Sequence, residues 1–299
     1  MQPPRVAALV VTYQRPDELR QVILGLLGQT RVPDHIIVFD NGGPERASAI
    51  LMDYAGSMEI IRSEHNLGGA GGFAQGLAQG LTRGVDWIWL LDDDAIPVPD
   101  ALACLLAALP NLPANTGVVC CGVREYGHWG FRHRRYFERW TGWERSLGAT
   151  AYDRDRVEID TGSFVGFMVS AKAVQAVGVP DAAFFLAYDD TDYSLRLQNA
   201  GWRLWLVSGS VVDHLRSRSS RLHSSRFGNK HYYNIRNRLV VKRRYARLRH
   251  LATIEGLAYG ILLWIVAGGW QDGAGWRTLG RAMADGIAGR LGSSRARPS

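Results

Sequence analysis

Cysteine is nearly absent: Cys104, Cys120 and Cys121 are the only three in 299 residues. An odd number that includes an adjacent pair does not build a disulfide framework, so the thiols read as buried apolar groups. Long hydrophobic runs are missing too. The N-terminal run Val6 to Val11 is too short for a signal-peptide core and gives way at once to polar turn residues, which leads us to expect a cytoplasmic protein. Gly256 to Trp270, GLAYGILLWIVAGGW, supplies fifteen uncharged residues, short of the roughly 20 that a spanning helix needs. Acid is absent from one whole region. Between Arg216 and Arg249 twelve Arg and Lys occur with no Asp or Glu, within a chain of net charge +7.

What remains is ordinary globular material, 46% hydrophobic and 21% charged, enough for the core of one or two domains. The basic block beside a Trp-bearing apolar segment suits the anionic cytoplasmic leaflet of a membrane. A core helix beneath a solvated basic face, or an oligomer contact made by the C-terminal helices, fits the same residues. The aromatics interleaved with Arg and Lys in HYYNIRNRLVVKRRYARLRH also permit nucleic-acid binding; we rank that class below a membrane surface.

Along the chain, strand and helix patterns alternate. RVAALVVTY reads as a buried strand. RPDELRQVILGLLGQ reads as a helix, with Pro16 in its first turn and Asp17 and Glu18 near its positive end. DHIIVFDNGG, MEIIRS and VDWIWLLDDD are further strands, separated by the helices ERASAILMDYAG and GGFAQGLAQGLTRG. This order predicts an α/β fold with a mostly parallel sheet, whose ligands sit at the carboxyl ends of the strands. Thr12, Tyr13, Asp40, Asn41 and Asp92 to Asp94 fall there. Phe131 to Ser146 is ambiguous between a mobile loop and packed surface structure.

GAGGFA, Gly69 to Ala74, formally matches a dinucleotide fingerprint, with Asp92 at about the distance of the expected acid. SEHNL separates it from its strand, however, and the acid comes as a triplet. Close packing of helix on sheet, or backbone approach by a sugar-nucleotide, accounts for the glycines equally well. Three successive aspartates repel one another unless a cation or tight hydrogen bonding offsets the charge. In an extended chain Asp92 and Asp94 share a side, and paired carboxylates suit Mg²⁺ or Mn²⁺ carrying a diphosphate. Asp189, Asp190 and Asp192 open a second helix. A carboxylate beside such a site can take the proton of an attacking hydroxyl, and His214 can complete a ligand set.

Taken in order, VVTYQRPDEL, VFDN, NLGGAGGF, DWIWLLDDD, IDTGSFVGFMV, YDDTDYSLRLQNAG, VVDH and YYNIRNRLVV resemble glycosyltransferase family 2. These enzymes invert configuration on a GT-A fold, and the bacterial galactofuranosyltransferases of that family are the nearest in pattern. Rhamnosyltransferases of the same family share much of it. The resemblance implies a Rossmann-like nucleotide-binding sheet flanked by helices, with a C-terminal helical extension. It implies transfer of a sugar, galactofuranose from UDP-galactofuranose or alternatively rhamnose from dTDP-rhamnose, to a polyprenyl-diphosphate-linked or other saccharide acceptor in cell-surface polysaccharide synthesis. Thr12, Tyr13, Arg15, Asp40, Asn66, Gly68, Gly69, Asp92 and Asp93 would hold the donor. Asp94, Asp92 and His214 would hold Mn²⁺ or Mg²⁺, and Asp190 would be the base. Asp189, Asp192 and Phe164 would contact sugar or acceptor; polymer-extending relatives have two tryptophans where this chain has Phe164 and Val165. We expect a catalytic domain over 1–240, a helical, membrane-facing extension over 241–290 and a disordered tail over 291–299, the whole being peripheral at the inner face of the plasma membrane.

Overall fold

The computed structural model describes residues 3–44, 46–54, 56–215, 222–271 and 273–293. Its N-terminal part is a run of strands and helices: β1 (Val6–Thr12), α1 (Pro16–Leu27), β2 (His35–Asp40), α2 (Ala47–Ile50), β3 (Glu59–Arg62), α3 (Gly68–Leu81) and β4 (Trp87–Asp92). The strands are parallel, side by side in the order β4, β1, β2, β3. The helix expected over ERASAILMDYAG shortens to α2 and one 3-10 turn, Met52–Tyr54. Glu45 and Ala55 lie outside the described residues.

The sheet continues beyond β4 through β12 (Phe167–Ser170), β6 (Thr116–Glu125), β13 (Arg203–His214) and β10 (Arg156–Ile159). β12 runs antiparallel to both β4 and β6, so the sheet is mixed rather than mostly parallel. Short β5 (Ala95–Pro97) pairs antiparallel with β13, and β7 (His128–Trp129) with β6. The ambiguous stretch 131–146 is packed structure: β8 (Arg134–Phe137) pairs with β9 (Glu144–Ser146) and β11 (Thr161–Gly162) in a small second sheet.

Side chains alternate across a strand, and β1 separates the two cores accordingly. Ala7, Leu9 and Val11 enter one core with Phe73 and Leu77 of α3. Val6, Ala8 and Val10 enter the other with Leu19, Val22 and Ile23 of α1 and with Leu102 and Leu105 of α4 (Ala101–Ala108). Helix α3 lies unusually near the sheet. A Cβ on Gly72 would stand 2.6 Å from Val11 Cγ1, and one on Gly76 2.5 Å from Leu9 Cδ1. These glycines serve close packing, and Gly69–Ala74 lies inside the helix rather than in a strand-to-helix turn, which removes the dinucleotide reading.

α5 (Ala171–Val177) and α6 (Asp189–Asn199) cover the α3 side of the sheet. The C-terminal helices are α7 (Asn229–Tyr245), α8 (Arg249–Val266) and α9 (Gly273–Ile287), with a core of their own around Tyr232, Leu239, Leu263 and Leu279. The boundary expected at 240 falls within α7, which runs through it unbroken because Val240 and Val241 are buried against Phe184 and Leu195. Of the expected tail, Leu291 packs beside Val240 and Val241, while Gly292 donates its N–H to Ala183 O and accepts from Arg236; residues 294–299 lie outside the described residues.

Among the described residues the basic block does not form a continuous cationic surface. Arg236 stacks over Tyr232 and Tyr233, Arg238 pairs with Glu144 and Glu255, Lys242 with Glu255, and Arg244 with Asp192. Arg216, Arg218 and Arg221 lie outside the described residues.

Candidate active site

Thr12, Asp40, Arg62 and Asp92 end their strands on one edge, since the register sets Thr12 beside Asp40, Asp40 beside Arg62 and Val11 beside Asp92. After Asp92 the chain turns through Asp93 and Asp94 and returns as β5 along β13. Ala95 thereby pairs with His214, and Leu215 N donates to Asp94 O at 2.8 Å. This places His214 Nε2 3.1 Å from Asp94 Oδ1.

Asp92, Asp94 and His214 each offer a ligand atom, and these atoms lie within 4.8 Å of one another. The two carboxylates suit Mg²⁺ or Mn²⁺, and the imidazole favours the transition metal. Arg15 pairs with Asp94, and with Asp93 at 3.4 Å. Burial raises Asp92 to about 7, helped by the charge of Asp94. Burial also pushes Asp94 upward, but the hydrogen bond and charge of His214, with Arg15, outweigh it and hold Asp94 at about 2. His214 is moved the opposite way. Its burial is overcome by Asp94 and Glu125, which raise it to about 9.

Asp93 turns away from this group. Its carboxylate accepts from Thr12 Oγ1 at 2.9 Å and Tyr13 N at 3.1 Å, so it ties the end of β1 to the end of β4. Asp40 is likewise inward, accepting from Gly42 N, Ala47 N and Arg62. Both shape this edge of the sheet through the backbone they hold. Asn66 accepts from Gly68 N at 2.8 Å, and Asn41 clasps Leu67 N and Gly68 O. Gly68 has φ +73°, and a Cβ there would lie 2.0 Å from Phe185 O. Gly69 has no neighbour within 4 Å of a built Cβ, so its backbone is open to a ligand. Tyr13 is exposed.

Phe185 leads to the second acidic cluster. Phe185, Ala187 and Tyr188 all have φ +65°, and such backbone costs of order 1–3 kcal/mol per residue unless its surroundings impose it. Asn237 of α7 imposes it by donating to the carbonyls of Phe184, Leu186 and Ala187. The segment delivers Asp189 and Asp190 at the N-terminus of α6, where backbone N–H groups favour negative charge. Burial nonetheless raises Asp189 well above the carboxylate range, with further contributions from Asp190 and Asp92; the two acidic clusters are therefore electrostatic neighbours. Burial raises Asp190 too, and the charge of Arg135 partly opposes it. Thr191 fixes Asp190 Oδ1 through its N–H at 2.6 Å and Oγ1 at 3.0 Å.

Two expected contacts take other roles. Asp192 is fully buried on the far side of α6, accepting from Arg244 and Tyr245 Oη at 2.9 Å each, and has no surface for a sugar. Phe164 is a core ring packed on Phe73, Phe167 and Tyr193.

Residues not anticipated complete the site. Glu125 Oε1 lies 3.2 Å from His214 Nδ1 and 3.1 Å from His133 Nε2. Among the described residues Glu125, His133 and His214 form a second group with metal-ligand spacing. His133 Nδ1 is engaged with Ser163 Oγ at 2.7 Å and burial lowers the ring to about 4, so this group reads as support for His214. Arg135, Glu144, Arg238 and Tyr188 adjoin Asp190 through the Arg135–Glu144 pair and the Arg238–Tyr188 bond. No local motif marks them; the nearest signal was the density of Arg and aromatics between Phe131 and Ser146.

Residues 3–241 match the family described as Glycosyltransferase like family 2. The galactofuranosyltransferase GlfT1 of Mycobacterium tuberculosis is 36% identical over 215 residues, 70% of this chain and 68% of that protein. GlfT1 of Mycolicibacterium smegmatis is 32% identical over 200 residues, 66% of each. The structure of GalNAc-T7 with UDP, GalNAc and Mn²⁺ superposes with a TM-score of 0.60 at 14% identity, covering 80% of this chain and 47% of that one. That likeness bears on the fold alone.

Proposed function

The chain belongs to glycosyltransferase family 2, and from that premise we propose a metal-dependent, inverting transfer of galactofuranose from UDP-galactofuranose to a lipid-linked saccharide. The observation that carries this reading is the convergence of Asp92, Asp94 and His214 beside the strained segment that presents Asp190. The relatives named galactofuranosyltransferase support the donor sugar.

In this reading the open backbone at Gly69 and the exposed Tyr13 receive the nucleotide, and Asp93 and Asp40 hold the loops that do so. Asp92, Asp94 and His214 would hold the cation, which when bound would supply positive charge to the departing diphosphate. Arg15, half-exposed beside the same carboxylates, would add a second positive charge toward the phosphates. Asp190 removes the proton of the acceptor hydroxyl, which attacks the anomeric carbon opposite the diphosphate. One displacement inverts the configuration there. A raised pKa suits a base, because it increases affinity for the proton it must take.

Calorimetry of UDP with Mn²⁺, with Mg²⁺ and with EDTA, on the wild type and Asp94→Ala, tests the donor site. Metal-dependent UDP binding lost in Asp94→Ala supports it. Transfer from UDP-galactofuranose, absent in Asp190→Asn while UDP still binds, supports the chemistry; binding of dTDP in place of UDP would reassign the donor to rhamnose.

A further inference from the structure

Every exposed residue of α8 beyond His250 is apolar. Leu251, Ile254, Ile261, Leu262, Ile265 and Val266 repeat at helical spacing along one face, with Ile254 63% and Leu262 60% exposed. Trp270 and Trp276 extend that face at 57% and 58% exposure. Monomeric soluble proteins rarely display so continuous an apolar stripe without a partner.

The opposite face of α8 is fastened to the protein. A Cβ on Gly256 would stand 2.6 Å from Leu239 Cδ2 and one on Gly260 3.0 Å from Ile235 Cγ2, so α8 rides directly on α7. Glu255 on that side pairs with Arg238 and Lys242. Helix α8, at 18 residues, meets the length and apolarity of a membrane-crossing helix. Its ion-paired inner face suits a helix lying in the plane of the interface rather than across it.

A second exposed element adjoins its N-terminal end. The hairpin between β8 and β9 carries Trp140 and Trp143, each 54% exposed. It is tied to the α7–α8 junction by Leu248 N to Trp140 O at 2.8 Å and Lys242 Nζ to Gly142 O at 2.8 Å, with Arg247 stacked over the Trp140 ring. Tryptophan with arginine at the edge of an apolar face is the composition of a membrane interface.

Charge decides what covers this face. Among the described residues the exposed ionic groups around it are Arg247 and Arg249 at one end and, beyond Trp276, Arg277 and Arg281, the last paired with Asp285 at 3.8 Å; Asp272 lies outside the described residues. Among described residues 222–293 the carboxylates are Glu255, ion-paired inward, and Asp285, buried under Tyr232 Oη. In the hairpin, Glu138 is occupied by its own turn, accepting from Trp140 N and Thr141 N. Among the described groups, a second copy apposed here would set Arg247 and Arg249 against their own counterparts or against Arg277. An anionic lipid surface meets both the apolar stripe and its cationic ends.

We propose that the outer face of α8, with Trp140, Trp143, Trp270 and Trp276, is a docking surface that inserts into the interface of an anionic bilayer. The surface stands apart from the donor site, so its test needs no turnover. Wild-type protein and the double variant Ile254→Glu, Leu262→Glu are sedimented with phosphatidylcholine vesicles and with vesicles containing a third phosphatidylglycerol, alongside tryptophan quenching by brominated lipid and sedimentation velocity without lipid. Both substituted positions are exposed, so unchanged thermal unfolding confirms that the variant is folded. Binding to anionic vesicles that falls at least tenfold in the variant, with bromine quenching in the wild type alone, is the expected result. Equal binding by wild type and variant, or no binding by the wild type, overturns the proposal. A wild-type dimer that the variant dissolves, without vesicle binding, assigns the face to self-association instead.

Discussion

Asn237, in the middle of α7, donates its side-chain amide to the carbonyl of Ala187 at 2.8 Å, two residues before the acidic pair that opens α6. The same amide reaches the carbonyls of Phe184 and Leu186. A helix outside the sheet thus holds the left-handed backbone of the site in place.

Asn237→Ala removes the donor from three carbonyls in a segment that is strained without it. At about 1–3 kcal/mol for each buried group left unsatisfied, partly relieved by Arg236 on Phe184 O, we expect a stability loss of about 2–4 kcal/mol. The turnover number should fall at least tenfold at temperatures where the variant remains folded. Denaturant unfolding and steady-state kinetics check both, and unchanged turnover in a destabilised variant would sever the link between this clamp and the acidic pair.

Glu125 should set metal affinity without touching metal. Its Oε1 accepts from His214 on the ring nitrogen opposite the one facing Asp94, and losing such a partner typically costs about 10–100-fold in metal affinity. Mn²⁺ titration followed by electron paramagnetic resonance should show that loss in Glu125→Gln, with thermal stability little changed.

The acid limb of kcat/KM should report Asp190. As the proposed base, Asp190 would work only when deprotonated, and its pKa is raised by burial, so activity should fall as pH drops through a value above the ordinary carboxylate range of about 4. Arg135 opposes the rise. Removing its charge in Arg135→Gln therefore shifts the limb to still higher pH, and a shift downward would show that another group is being titrated.

Two glycines three residues apart in α3, Gly69 and Gly72, should behave oppositely. Gly72→Ala gains about 1 kcal/mol of helix propensity, but its Cβ meets Val11 Cγ1 at 2.6 Å, and overpacking costs about 1–3 kcal/mol. The clash wins and the protein is destabilised. Gly69→Ala meets nothing within 4 Å, so stability should hold or rise while the KM for the nucleotide-sugar increases.

Much of this was legible in sequence. The parallel strands and the Asp92–Asp94 turn are set by local periodicity and composition, and the family pattern brought His214 to them. The misread residues depend on contacts distant in sequence. Asp192 shares a helix with Asp190, yet Arg244 and Tyr245, more than fifty positions on, decide which way it faces. Phe164 belongs to a core assembled from α3, α6 and β12. Glu125 and His133 stand on ordinary-looking strand and loop segments and acquire meaning only where β6 lies beside β13. The basic block is misleading for a related reason: Arg236, Arg238, Lys242 and Arg244 turn to rings and carboxylates, of which Glu144 and Asp192 lie far from them in sequence.

The unbroken passage of α7 from the Asn237 clamp into the packing of α8 and α9 has a consequence for folding. The extension cannot melt first and leave a working enzyme behind, because the clamp melts with it. Calorimetric unfolding of the intact chain should show one cooperative transition, and activity should vanish along the same curve.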